Sequence, residues 1–392
     1  MRLYNYITSI TETWLAEAKA IMKDEGVLLF FLFLPIGYPF IYSWIYNNEV
    51  AREVPVILVD DSHSALSREF ARKFEASPDV SIALHCNNMK EAQDAIGHSK
   101  AYGILYFPND FEKKVERMQQ GVVSVYCDMS YMLTYKAILT TANDIALELG
   151  AEIQTKRLGN HTHREDEIAT HPLQYDAVPM FNTTGGYGNF ILPGVLVLII
   201  QQAMILGVGL IAGTEREKRF CNYRAPEGRN SMSHALLILG GKGLCYLMIF
   251  SVMLAWITLI IPRIFGFVSL VHGKDLVLFF TPYLLGCVLF SITISEMIRF
   301  RENVMLVVVF SSLPLLFMSG VSWPLSAVPG EIQGLSSIFP STFGIRGFIR
   351  MNSMGALLPD VVREYHNLWI QVASYAPIAL FVIWRRVKST EQ

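Results

Sequence analysis

The chain has 392 residues, with 32 Lys and Arg against 34 Asp and Glu, a formal net charge of −2. So even a balance leaves neither a basic footprint for nucleic acid nor an acidic tail, and charge does not point to a partner. Hydrophobic residues make up 52% of the chain and charged residues only 17%, against roughly 25% charged in soluble domains, which places the chain among membrane proteins.

Residues 1–26 come first, with Ile7, Ile10, Trp14, Ala18 and Ile21 at helical spacing. This predicts an amphipathic helix that either lies along a membrane surface or packs as an ordinary helix. Residues 27–46 carry no Asp, Glu, Lys or Arg. The run is too long for a signal-peptide core and ends in Ser43-Trp44-Ile45-Tyr46 with no small-x-small cleavage pattern, so it reads as a retained membrane anchor.

Residues 47–189 hold most of the charge. Strands are predicted at Val54–Val59, Val80–His85, Ala101–Phe107 and Val122–Cys127. Helices are predicted at Ser64–Ala76, Asn88–Ile96, Asn109–Gln120 and Tyr131–Arg157. Such alternation implies a small α/β domain with a largely parallel or mixed sheet. Cys86 and Cys127 both close strands and would share an edge in a parallel sheet, which leaves a disulfide open. Residues 159–189, with Gly159, Pro172, Pro179, Gly185, Gly186 and Gly188, read as irregular.

Five more charge-free runs follow, at 190–212, 243–262, 276–295, 304–325 and 367–384. About 20 helical residues at 1.5 Å rise cross a hydrocarbon core of roughly 30 Å, and lipid leaves the backbone no other partner. Six transmembrane helices with one inserted α/β domain are therefore expected. Residues 213–234 become a loop, 321–366 a further segment outside the membrane, and 385–392 a tail. Segments 1–26, 213–242, 296–303 and 385–392 hold 14 Lys and Arg, and the short loops of the other side hold 5. The excess places both termini in the cytoplasm, with His161 outside and Arg224 inside.

Sites for chemistry are scarce. His161, His163 and His171 have no standard zinc spacing, and Asp60-Asp61 after a strand suits a turn or helix cap. Asn160-His-Thr and Asn182-Thr-Thr fit the glycosylation triplet, a pattern that arises readily by chance. Gly240-Gly241-Lys242-Gly243 lacks the spacing and the Ser or Thr of a phosphate-binding loop. It reads as close glycine packing beside a Lys that snorkels at the membrane boundary. The charge-free runs themselves hold no ionisable residue, which argues against a gradient-driven carrier and against an intramembrane enzyme. Gln201, Gln202, Ser291, Thr293 and Ser295 either line a substrate path or join helices by hydrogen bonds. Trp323, Trp369 and Trp384 suit membrane interfaces.

Several segments, in order, resemble the transmembrane subunits of ABC-2 type transporters, in the branch with a large domain between the first two spans. They are Glu17–Asp24 with Pro35; Val54-Pro55-Val56, Val59-Asp60 and Ser67-Arg68-Glu69; Ala101–Ile104, Phe107-Pro108, Phe111, Gly121 and Asp128; and Phe181-Asn182 with Pro193-Gly194. Gly213–Arg219 resembles the Glu-Arg-Glu loop of that family, although Phe220-Cys221-Asn222 replaces its usual continuation. Ser319–Pro324, Val328-Pro329 and Phe339–Gly347 resemble its last extracytoplasmic, re-entrant segment. The resemblance implies a permease of the bacterial inner membrane that exports amphiphiles such as drugs or lipids. It implies no cofactor in this chain, since cytoplasmic subunits would bind ATP and Mg. A second permease subunit would complete a homo- or heterodimer, and members of this branch often work with a periplasmic membrane-fusion adaptor. Glu215, Arg216 and Glu217 are then expected to couple the permease to its ATPase. The alternative from another class is a membrane-anchored sensor or scaffold with an extracytoplasmic binding domain.

Overall fold

Helix α1 (Arg2–Lys23) and helix α2 (Glu25–Ile45) meet at Asp24, whose Oδ1 accepts from the amides of Gly26 and Val27 at 3.1 and 3.3 Å. An N-cap of this kind satisfies orphan donors of the new helix and lets the chain change direction. The computed structural model describes residues 2–47, 50–159, 162–170, 178, 180–183, 185–217, 231–298 and 300–390. They fall into two units, one spanning Val50–Val178 and the other combining Met1–Glu49 with Pro179–Gln392.

In the Val50–Val178 unit, β1 (Val54–Asp60) leads to α3 (Ala65–Glu75), β2 (Val80–Cys86) and α4 (Met89–Gly97). After these come β3 (Gly103–Phe107), α5 (Phe111–Glu116), β4 (Ser124–Cys127), α6 (Met132–Leu158) and the short α7 (His163–Thr170). The predicted elements of the domain are present, and α7 is an addition within residues expected to be irregular. Strand order is β2-β1-β3-β4, with β1 parallel to β2 and β3, and β4 antiparallel to β3. Successive strand residues point to opposite faces. Val56 and Leu58 therefore join Phe70, Phe74, Phe107 and Ile138 in one core, while Ile57 and Val59 join Ala92 and Ile104 in another. Asp60 caps as expected: Oδ1 accepts from the amides of Ser62 and His63, and Oδ2 accepts from the Ser67 hydroxyl at 2.7 Å.

The antiparallel fourth strand overturns the common-edge expectation for the two cysteines. Cys86 pairs with Val59 near the end of β1, whereas Cys127 pairs with Gly103 at the start of β3. They end opposite edge strands, three spacings of about 4.8 Å apart, too far for the roughly 4.4–6.8 Å between Cα atoms that a disulfide needs. Both thiols are free. Burial pushes the Cys127 thiol up to about 11 and raises that of Cys86 as well.

The other unit continues with α8 (Tyr187–Glu217), α9 (Ser231–Phe265), α10 (Gly273–Met297) and α11 (Arg301–Met318). It closes with α12 (Gly330–Ser336), α13 (Pro340–Met354) and α14 (Val362–Thr390). The described residues are thus predominantly helical, with six helices long and apolar enough to cross a membrane and a small mixed sheet inserted after the first. At 35 residues, α9 extends about 52 Å, well beyond the hydrocarbon core. Helix α8 is the axis of the bundle, 94% buried across its most apolar stretch, and α2, α10, α11 and α13 all pack on it. Glycine makes the approach possible: a Cβ at Gly207 would sit 1.7 Å from the Phe31 ring, closer than any side chain tolerates. Helices α2 and α9 each carry a π-helical turn, at Leu29–Phe33 and Trp256–Ile260, just ahead of Pro35 and Pro262. Proline cannot donate to the preceding turn, and the wider turn absorbs that mismatch.

His161, His171, Asn160, Cys221 and Arg224 lie outside the described residues, as do 218–230 of the expected loop.

Candidate functional site

Where the sequence suggested a loop starting at residue 213, α8 continues through Glu217. Its last turn therefore carries Glu215 and Arg216 on a rigid element, and both turn toward neighbouring helices. Glu215 is 6% exposed, and its two oxygens lie 3.1 and 3.2 Å from the Lys242 Nζ of α9. The same carboxylate is 2.9 Å from a guanidinium nitrogen of Arg386 on α14. Arg386 in turn donates to Glu296 on α10 at 2.9 Å. Arg216 reaches Glu296 from the other side at 2.6 Å and donates to the carbonyl of Ile298. Lys242 also lies 3.5 Å from Glu17 on α1, which is fully buried and accepts from the Tyr246 hydroxyl.

Among the described residues, three carboxylates and three cations from five helices thus form one cluster of balanced charge, and four of the six, Glu215, Lys242, Glu296 and Arg386, line a cavity of about 30 Å³, room for roughly one water. Each ion has a partner within ion-pair distance. That pairing is what permits burial, since an isolated charge at such a site would cost several kcal/mol. A second junction lies beside the first. Arg301 of α11 makes a two-pronged contact with Asp24, 2.7 Å on each prong, and donates to Thr214 of α8 at 2.6 Å. Burial alone would raise the Asp24 carboxyl; the Arg301 guanidinium and the Val27 and Gly26 amides outweigh it and hold the group below its ordinary range. Its contribution to stability is therefore present above the ordinary carboxylate value and lost as pH falls through the lowered one.

Lys242 corrects the snorkelling expectation. It is 8% exposed, within α9, and its ammonium faces the bundle. The glycine part of that reading is found at Gly241, where a Cβ would meet Thr13 of α1 at 2.5 Å. Helix α1 is accordingly packed on α9 through Thr13, Glu17 and Ile21, while Ile7, Leu15 and Met22 remain exposed. The inference that the spans lack ionisable groups also changes, because the helices run past the charge-free runs and carry paired charges beyond them.

A family model described as ABC-2 family transporter protein matches residues 26–381. The chain belongs to the ABC-2 transporter family. It is a multi-pass membrane permease, a transport component that is not itself the ATPase, and membership implies ATP-binding subunits as partners. No curated protein and no solved structure gives a significant match.

Within this permease the Glu-Arg-Glu triplet divides. Glu215 and Arg216 belong to the cluster, and Glu217, about 200° around the helix from Glu215, is exposed. The five residues considered for a substrate path are not gathered at one place. Gln201 accepts from the amide of Ser341 at 2.7 Å, which caps α13 at the middle of α8. Gln202 donates to Ser311 of α11 at 3.3 Å. Thr293 and Ser295 donate to carbonyls of their own helix, at Leu289 and Ile292. Ser291 is fully buried, and of the five only Ser295 lines the cavity in the charge cluster. No group of His, Cys, Asp and Glu among the described residues is arranged to hold a metal.

Glu17, Lys242, Glu296 and Arg386 had no place in the sequence-derived site. One signal was available. Glu17 falls on the same face of the leader as Ile10 and Ile21, at seven and four residues' distance, where a solvated carboxylate does not belong.

Proposed function

We propose that this permease is the membrane subunit of an ATP-driven exporter in a bacterial inner membrane, with both termini in the cytoplasm. It moves an amphiphilic substrate, a drug, lipid or similar molecule, out of the cytoplasm or the membrane. Separate ATP-binding subunits hold ATP and Mg, a second permease subunit completes a homo- or heterodimer, and a periplasmic adaptor extends the route outward.

The observation that carries this reading is the charge cluster at the end of α8. Coupling requires an element with two states on which both ends can act. A force delivered to the last turn of α8 is transmitted through Glu215 and Arg216 to α1, α9, α10 and α14 at once. In the proposed orientation this end of α8 faces the cytoplasm, where the ATP-binding subunits would meet it. Exposed Glu217 is the member of the triplet free to meet a basic group of the ATPase.

Glu217→Ala is therefore expected to assemble normally and to lose most of the stimulation of ATPase activity by the permease. Equal stimulation from an equally assembled variant would remove Glu217 from the coupling path. Glu215→Ala is a different experiment. It takes one carboxylate from each of Lys242 and Arg386, so this variant is expected to lose stability as well as coupling.

A further inference from the structure

The α/β domain carries an open groove of about 460 Å³ between α3, α5 and α6, within the roughly 300–1,000 Å³ range of small-molecule sites. Its floor is made by Phe70, Phe111 and Leu149, all part of the domain core. Two glycines give it depth. A Cβ at Gly121 would press on the Val115 side chain at 2.6 Å, whereas one at Gly150 would meet nothing within 4 Å and would project into open space. The polar groups on the wall are Gln154 and Arg157, three residues apart near the end of α6 and both exposed. Among the described residues, Arg157 is the one charged lining residue. It donates to the Val115 carbonyl, and a guanidinium has five N–H donors in all, so others can meet an anion.

An apolar trough ending in one guanidinium is complementary to a particular shape of molecule. We infer that the groove binds a single-chain amphiphile with a carboxylate head, its chain lying over Phe70, Phe111 and Leu149 and its carboxylate paired with Arg157. A neutral head would forgo the charge-assisted pair with the guanidinium, and a cationic one would be repelled. The inference uses only the domain's own surface and does not depend on what the membrane helices transport.

The test uses the full chain in lipid nanodiscs and a diazirine-bearing dodecanoic acid as probe. After illumination, adducts are mapped by peptide mass spectrometry. Adducts on the membrane helices serve as an internal reference, because the probe partitions into the bilayer. Adducts on Phe111–Glu116 and on residues 146–157 are expected in the native chain. Relative to the reference, they should fall about tenfold in Gly150→Phe, which fills the trough, and in Arg157→Ala, the loss of one charge-assisted contact. Arg157→Lys should keep most of the labelling. A dodecanol probe of the same length should label the native groove about tenfold less than the acid does. That comparison needs no variant to fold. Groove adducts that are absent, that survive Gly150→Phe, or that are equal for acid and alcohol would overturn the assignment.

Discussion

The two units of this permease deal with charge in opposite ways. In the α/β domain, Lys73 bridges Glu148 and Glu152 at 2.8 and 2.5 Å on the surface, while both faces of the sheet are packed by apolar side chains. In the helical unit, Lys242 makes comparable contacts inside the protein. Water explains the difference. A domain in water is held by removing apolar surface from it, and its ion pairs add little. Helices in lipid gain nothing by burying Leu against Leu, so close approach at glycine and polar contacts must specify which helix meets which.

The same substitution in each unit tests this most strongly. Lys242→Met leaves Glu17 and Glu215 buried without their ammonium, at a cost of about 3–5 kcal/mol. The thermal unfolding midpoint of the purified permease should drop sharply, and adding Glu17→Gln should recover part of it. Lys73→Met should produce a slight, salt-sensitive change seen in the unfolding of the domain. Equal effects from the two would end the distinction.

A glycine pair sharpens it at smaller scale. Gly207→Ala drives a methyl into the Phe31 ring and should destabilise the bundle by about 1–3 kcal/mol, as overpacking does. Gly150→Ala, on α6 with open space around its Cβ, should stabilise the domain by about 0.5–1 kcal/mol through helix propensity. Differential scanning fluorimetry of both variants, read against the parent, gives the sign of each.

The smallest effect concerns Cys127. With its thiol pushed up to about 11 by burial, the reactive thiolate is scarce at neutral pH. Alkylation by iodoacetamide should be slow at pH 7 and rise steeply as pH approaches 11, with no peptide linking it to Cys86 under non-reducing conditions. Rapid labelling at pH 7 would show that the group is not held in its protonated form.

How much of this could be read beforehand differs between the units for the same physical reason. The domain's elements follow from short apolar runs, as in Val54–Asp60, set between helices that start at Ser64 and Asn88, whose side chains accept from the next turn. The direction of β4 was not legible, since a four-residue strand fits either sense and its pairing with β3 is settled in space. The six spans were legible as runs without charge. Their true ends were not, because Glu215, Lys242, Glu296 and Arg386 look solvated in one dimension and acquire partners only when five helices converge. Gln201 shows the same limit. Its amide sits mid-span in the sequence, and its contact with the Ser341 amide, 140 residues away, is visible only in the folded chain.

The neutrality of the cluster has an electrical consequence. One elementary charge moved through a full membrane potential exchanges about 2.3 kcal/mol per 100 mV, so any rearrangement that displaced Lys242 alone would be driven or opposed by the cell's voltage. The three carboxylates and three cations counted among the described residues carry no net charge when they move together. A shift of those six side chains as a unit would do no electrical work, so their share of any motion would cost the same across an energised membrane and a depolarised one.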